Sequence, residues 1–237
     1  MTIKNLIVAG GASAALFATV FAATLSAQGA SAVRLQLAPG SQLTFEGTST
    51  LHGFTCTTRT MQAYIDVDPA YQTANLSTLA HPIVAVQIVI PVKSLSCGGE
   101  LENNMFKALK ANQYPYIIYK LSTYDVTSGS GSASSFAAVT QGHLTISGKE
   151  NPIALSINAS RSVDGLAAAT GEQTIKMTEF GIKPPTFMLG TLRVGNELKV
   201  KFTIRAASAA VASAMAELGT KLATAATVSS SSVAPNQ

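Results

Sequence analysis

Three histidines, two cysteines and a thin scatter of carboxylates are the residues of this 237-residue chain that could do chemistry. His52, His81 and His143 each lack a second histidine three or four residues away, so the spacing that sets two imidazoles around zinc on one helical face is absent. So are the GxSxG nucleophile elbow, the phosphate-cradling P-loop and the GxGxxG fingerprint. Glu46 with His52 is the one acid–base pairing to consider. The plainer reading puts Glu46 on the polar face of a strand and His52 in a turn before Gly53. No catalytic residue, cofactor or metal ligand is assigned, and the chain is expected not to be an enzyme. What remains is surplus apolar matter where loops should be: Leu51 and Phe54 around a glycine turn, and Phe180, Ile182, Phe187, Met188 and Leu189 around the paired Pro184 and Pro185. Pro-rich turns are ordinarily polar and solvated.

The first thirty-odd residues read as a targeting signal. Lys4 supplies a positive start, Leu6 to Leu25 is apolar and uncharged, and Ala30-Ser31-Ala32 fits a small-x-small cleavage site. Residues 1–32 are therefore assigned to a signal peptide, with a cut after Ala27 and an uncleaved anchor as alternatives. No later segment has eighteen consecutive apolar residues. The mature protein is expected in the periplasm or outside the cell, without stable membrane insertion. Its formal charge of +4 is not gathered into a basic cluster, which argues for solubility and against nucleic acid.

Export makes Cys56 and Cys97 informative, because an oxidising compartment favours pairing them. A bridge would close a loop of about forty residues, worth roughly 4 kcal/mol in the chain-entropy account. Two free buried thiols are the competing reading.

The elements that must position these residues are strands. In residues 197–205 Leu198, Val200, Phe202 and Ile204 alternate with polar neighbours; Ile153, Leu155 and Ile157 do the same, as do Met61, Ala63, Ile65 and Val67. The run from Ile83 is more fully apolar, as a strand buried on both faces would be. Hairpins are expected at Ser147 to Pro152 and at Val194 to Glu197. About eight antiparallel strands result, closing as a barrel or stacking as a sandwich. Residues 102–115 break the pattern as a short helix, with Leu101, Met105, Ala108 and Leu109 at helical spacing and Phe106 beside the stripe. Residues 206–237 are Ala- and Ser-rich and are expected to form a flexible tail outside the domain.

Residues 33–205 resemble the YceI-like family. The matching pieces, in order, are "LTFEGTSTLHGF", "IVIPVKSLSCGG", "MFKALKANQYPYIIYKL", "GHLTISGKENPIAL" and "MTEFGI". The resemblance implies an all-β, lipocalin-like barrel of about eight strands with one short helix near one end. It implies a non-catalytic binding protein that holds a long isoprenoid-type lipid or quinone in an apolar tunnel, as carrier or reservoir. The tunnel-lining candidates are Phe45 and Phe54 on the opening strand and turn, Met105, Phe106 and Leu109 on the helix, and Phe180, Ile182, Phe187 and Met188 on the late loop. The intervening "KPPTFMLG" and the cysteine pair depart from the simplest family pattern and suggest a subgroup. A module with a filled core that meets other envelope proteins is the alternative, and a dimer is left open.

Overall fold

The computed structural model describes residues 31–217 and Thr220, apart from 77, 80, 130–132, 188 and 190. Residues 1–30 of the expected signal peptide, Met188 and most of the tail beyond 217 lie outside the described residues.

Among the described residues, twelve strands and the ten-residue helix α1 follow in order, before a further helical stretch at the end: β1 (Val33–Leu37), β2 (Gln42–Thr48), β3 (Gly53–Thr58), β4 (Gln62–Val67), β5 (Ile83–Pro91), α1 (Gly99–Ala108), β6 (Tyr116–Gly129), β7 (Ser135–Ile146), β8 (Lys149–Arg161), β9 (Ala167–Lys176), β10 (Thr186–Phe187), β11 (Leu192–Arg193) and β12 (Glu197–Ser208). Antiparallel pairing runs β1-β4-β5-β6-β7-β8-β9-β12, and β12 pairs back onto β1. The ring is an eight-stranded closed barrel, because β1 with β2, and β3 with β4, each act as one long kinked strand. β12 shows this directly: Ala206 to Ser208 pair with β1, and Lys199 to Thr203 pair with β2. The kink between β1 and β2 is stitched by Ser41, whose hydroxyl accepts from the Arg205 amide at 3.0 Å and approaches the Ala38 carbonyl at 3.0 Å.

One end of the barrel is plugged. The loop after β4 carries Tyr71 and Leu76 across it, and they pack with Leu35, Val67, Phe136 and Ala206. The other end is the mouth, where α1 and the segment between β9 and β12 lie. There a second cluster gathers Ile146, Ile175, Met177, Phe180 and Ile182, with Ala108 and Leu109 against it.

Closure explains two departures from expectation. The apolar run of β5 is not buried on both faces: Ile88 and Ile90 point inward, while Val84 is 58% exposed. A single-layer barrel has no second layer to cover its outside. The Val194–Glu197 turn is also not a hairpin. β11 pairs with β10, Val194 bridges to Ser49, and the chain then enters β12. The Ser147-Gly148 turn between β7 and β8 is the expected hairpin, with both residues at positive φ (52° and 78°). The expected boundary at 206 falls inside the barrel. β12 runs on to Ser208, residues 209–217 are helical, and Val211, Ala212 and Met215 pack on Ala38, Leu166 and Ala207.

Candidate functional site

Inward-facing side chains from all the long strands line one cavity of about 300 Å³. It extends from Leu35, Tyr71 and Phe136 at the plugged end to Met105, Leu109 and Pro185 at the mouth. The cause is the strand period of two: residues 198, 200, 202, 204 and 206 of β12 all reach it, as do 153, 155, 157 and 159 of β8. Of the described residues that line it, none is an acid or a base. Polar atoms enter at few points, chiefly Tyr71, Asn104, Tyr119, Thr140 and Gln173.

Those polar groups are mostly turned to the wall. The Tyr119 and Thr140 hydroxyls lie 3.1 Å apart, and Thr140 donates to the Leu155 carbonyl at 3.2 Å. Burial pushes the Tyr119 phenol up, and pushes that of Tyr71 up to about 12. Both phenols are therefore neutral across the ordinary pH range, and the wall carries no ionised group.

Two glycines keep the lumen open by letting rings lie flat on the strands. A Cβ on Gly142 would meet the Tyr119 ring at 2.7 Å and the Lys120 carbonyl at 2.4 Å. One on Gly171 would meet Phe202 at 2.4 Å. Ala159 of β8 faces the cavity and Ala154 faces solvent.

The mouth has an interrupted seam. β4 pairs with β5 only as far as Gln62 and Val89, and beyond that β3 and β5 diverge. The segment after β5 bridges the gap. Thr57 and Ser96 exchange backbone hydrogen bonds of 2.9 and 2.8 Å, and one residue to either side Cys56 is bonded to Cys97. Both cysteines line the cavity. Helix α1 is tied to this seam: Glu102 accepts from the Ser96 hydroxyl at 3.0 Å and from the Cys97 amide at 3.3 Å. Its stripe of Leu101, Met105, Ala108 and Leu109 covers the lumen.

Of the residues proposed from sequence, Phe45, Phe54, Met105, Leu109, Phe180 and Ile182 come together on the cavity. Phe106 is half-buried and is not on it, because it lies off the helix stripe. Phe187 is placed on β10 by its backbone, and Met188 lies outside the described residues. The loop with the two prolines turns its apolar side inward: Ile182 is buried, Pro185 lines the cavity, and the Pro185 carbonyl accepts from the Val194 amide at 3.0 Å. Sequence reading missed the deep lining, including Tyr71 and Tyr119. The alternation of β6 and β8 was the available signal for part of it. Glu46 and His52 do not form a pair. Glu46 accepts from Lys201 at 2.7 Å, which holds its carboxyl below the usual range, and the His52 Nδ1 sits 2.8 Å from the Gly53 carbonyl.

The sequence matches the family model of the YceI-like domain over residues 36–206, more than half of the chain. No curated protein sequence matches it. Solved structures share the fold, and two of them illustrate it. One is BcnA of Burkholderia cenocepacia, at 19% identity and a TM-score of 0.53, covering 70% of this chain and 95% of that one. The other is a polyisoprenoid binding domain from Saccharophagus degradans implicated in plant cell wall breakdown, at 15% identity and a TM-score of 0.55, covering 75% of this chain and 99% of that one.

Proposed function

The chain belongs to the YceI-like family, and we propose that it is an exported, non-enzymatic binding protein that holds one long apolar lipid, of polyisoprenoid or quinone type, as carrier or reservoir. The observation that carries this reading is a cavity spanning the barrel with no charged residue among its described lining. Such a wall offers apolar area and almost nothing else. Each buried CH₂ contributes about 0.8 kcal/mol, so a multi-isoprene tail is retained without ionic contact. The volume of about 300 Å³ is at the low end for ligand sites and is drawn out along the barrel. That shape suits a slender chain better than a fused ring system. The polyisoprenoid-binding description of the Saccharophagus domain supports the same ligand class. The amino-terminal signal reading and the cysteine bridge support a periplasmic or extracellular location.

Native mass spectrometry of the protein purified gently from its own cell envelope, followed by organic extraction, tests this. A stoichiometric isoprenoid or quinone mass is the expected result and names the ligand. A clean apo mass, with no uptake of added polyprenyl lipid, would overturn it.

A further inference from the structure

Two leucines stand far out of the mouth. Leu51, at the tip between β2 and β3, is 73% exposed, and Leu189, at the tip between β10 and β11, is 108% exposed. The two tips form one lip. The Thr50 amide donates to the Arg193 carbonyl at 3.0 Å, the Thr50 hydroxyl donates to the Thr191 carbonyl at 3.2 Å, and the Gly195 amide donates to the Thr48 carbonyl at 2.7 Å. Leu189 holds φ at 55°, a conformation that side chains with a Cβ rarely adopt. A strained leucine held in solvent is an outlier that asks for a purpose.

Within the two tips the charges have one sign, while Glu46, Glu179 and Glu197 flank them directly. From Gly47 to Cys56 and from Phe180 to Asn196 the sequence has no carboxylate, while Lys183, Arg193 and His52 lie in these segments. The plugged end offers a contrast. Its exposed tip, Val163 at 109%, is followed directly by Asp164. The lip is also continuous with the cavity, since Phe54, Pro185 and Val194 of the same segments line it.

We propose that this lip docks on an anionic phospholipid bilayer, with Leu51 and Leu189 entering the interface and Lys183 meeting the headgroups. Binding at a membrane surface strengthens with the apolar area inserted and with attraction of basic groups to anionic lipid. The inference rests on the lipid-carrier reading and adds its route: a tail passes from bilayer to tunnel along apolar surface without crossing water.

The test is co-sedimentation of the full mature chain with vesicles of phosphatidylcholine, with and without phosphatidylglycerol. Binding is expected only with phosphatidylglycerol, and the double substitution Leu51→Ser, Leu189→Ser is expected to weaken it about tenfold. Lys183→Glu is expected to weaken it too, and Val163→Ser to leave it unchanged. Both leucines are exposed, so the melting temperature of the double variant should match that of the parent. Lipid content after loading from detergent solution is read in parallel. Retained lipid with lost vesicle binding supports the lip. Vesicle binding unchanged in the double variant, or absent in the parent, overturns the lip whatever the lipid content. Absent lipid in the parent overturns the tunnel reading separately.

Discussion

At the plugged end β1 lies in register between β4 and β12, and Leu35, Val67, Leu76 and Phe136 fill the space behind it. At the mouth β3 has lost its neighbour on one side, and a short bridge, a disulfide and a ten-residue helix cover the gap. The first arrangement pairs β1 on both sides over close packing, which moves little. The second uses a covalent link beside a few hydrogen bonds, in a region with sparse neighbours. Regions of that kind open locally at low free energy. The difference teaches where a lipid would enter: the plugged end supplies stability, and the mouth supplies access under a covalent limit.

Cutting that limit should give the largest effect. Cys56→Ser removes a cross-link of 41 residues and is expected to destabilise the protein by about 4 kcal/mol. Hydrogen exchange should rise in β3, in residues 92–97 and in α1, and stay unchanged where β1 meets β12. Bound lipid should leave faster. Unchanged melting together with unchanged lipid retention would remove the distinction between the two ends.

Leu76→Ala tests the other side. Leu76 is 0% exposed and its amide is tied to the Ala133 carbonyl at 2.8 Å. Its truncation leaves a cavity in packed surroundings and is expected to cost about 3 kcal/mol by denaturant melts. Exchange should rise at Tyr71, β1 and the start of β7, with the disulfide end unaffected. A spread of exchange into α1 would show that the two ends open as one unit.

How much of this contrast the sequence carried depends on the distance over which each feature acts. The alternation of β12 and β8 and the i, i+4, i+7, i+8 stripe of α1 are local, and both could be read directly; the stripe even separates Met105 from Phe106. The run of β5 misled because its outer face is apolar too, so Val84 carries no mark of exposure. The interrupted seam was not legible. Cys56 and Cys97 show that two points meet, but not that one strand has left its partner there. The deep lining assembles Tyr71, Phe136 and Ala206 from segments far apart in the chain, and composition does not say which way each points. The boundary at 206 failed for a similar reason: Ala206 and Ala207 look like the Ala-rich tail but pair with Leu37 and Gln36 of β1.

The plugged end also has a titratable marker. The Tyr71 phenol is pushed up to about 12 by burial, against about 10 in the unfolded chain. Folding therefore favours the protonated form. Its contribution is fully present below pH 10 and is lost as pH rises towards 12, by about 2 kcal/mol. Burial raises Tyr119 and Tyr124 as well, with the same sign. Tyr71→Phe should flatten the alkaline limb of a stability–pH curve in part, and leave the curve below pH 9 parallel to that of the parent. An unaltered limb would mean that the loop carrying Tyr71 opens before the phenol ionises, which would make the plugged end the more mobile one.

The smallest effect is expected midway between the ends, at the Tyr119–Thr140 pair. Thr140 spends its proton on the Leu155 carbonyl, so Tyr119 donates to Thr140. Thr140→Val keeps the shape and takes away both partners, and is expected to cost about 1 kcal/mol. Tyr119→Phe removes the group that would then be left unsatisfied. The double variant should be closer to the parent than the sum of the two singles, since replacing both members of a buried pair by apolar groups is nearly neutral. It also makes the lumen more apolar at this paired polar point. A lipid held by apolar area alone should be retained as well or better there, whereas weaker retention would mean that the hydroxyl pair contacts the ligand and that the middle of the tunnel, not only its mouth, selects what enters.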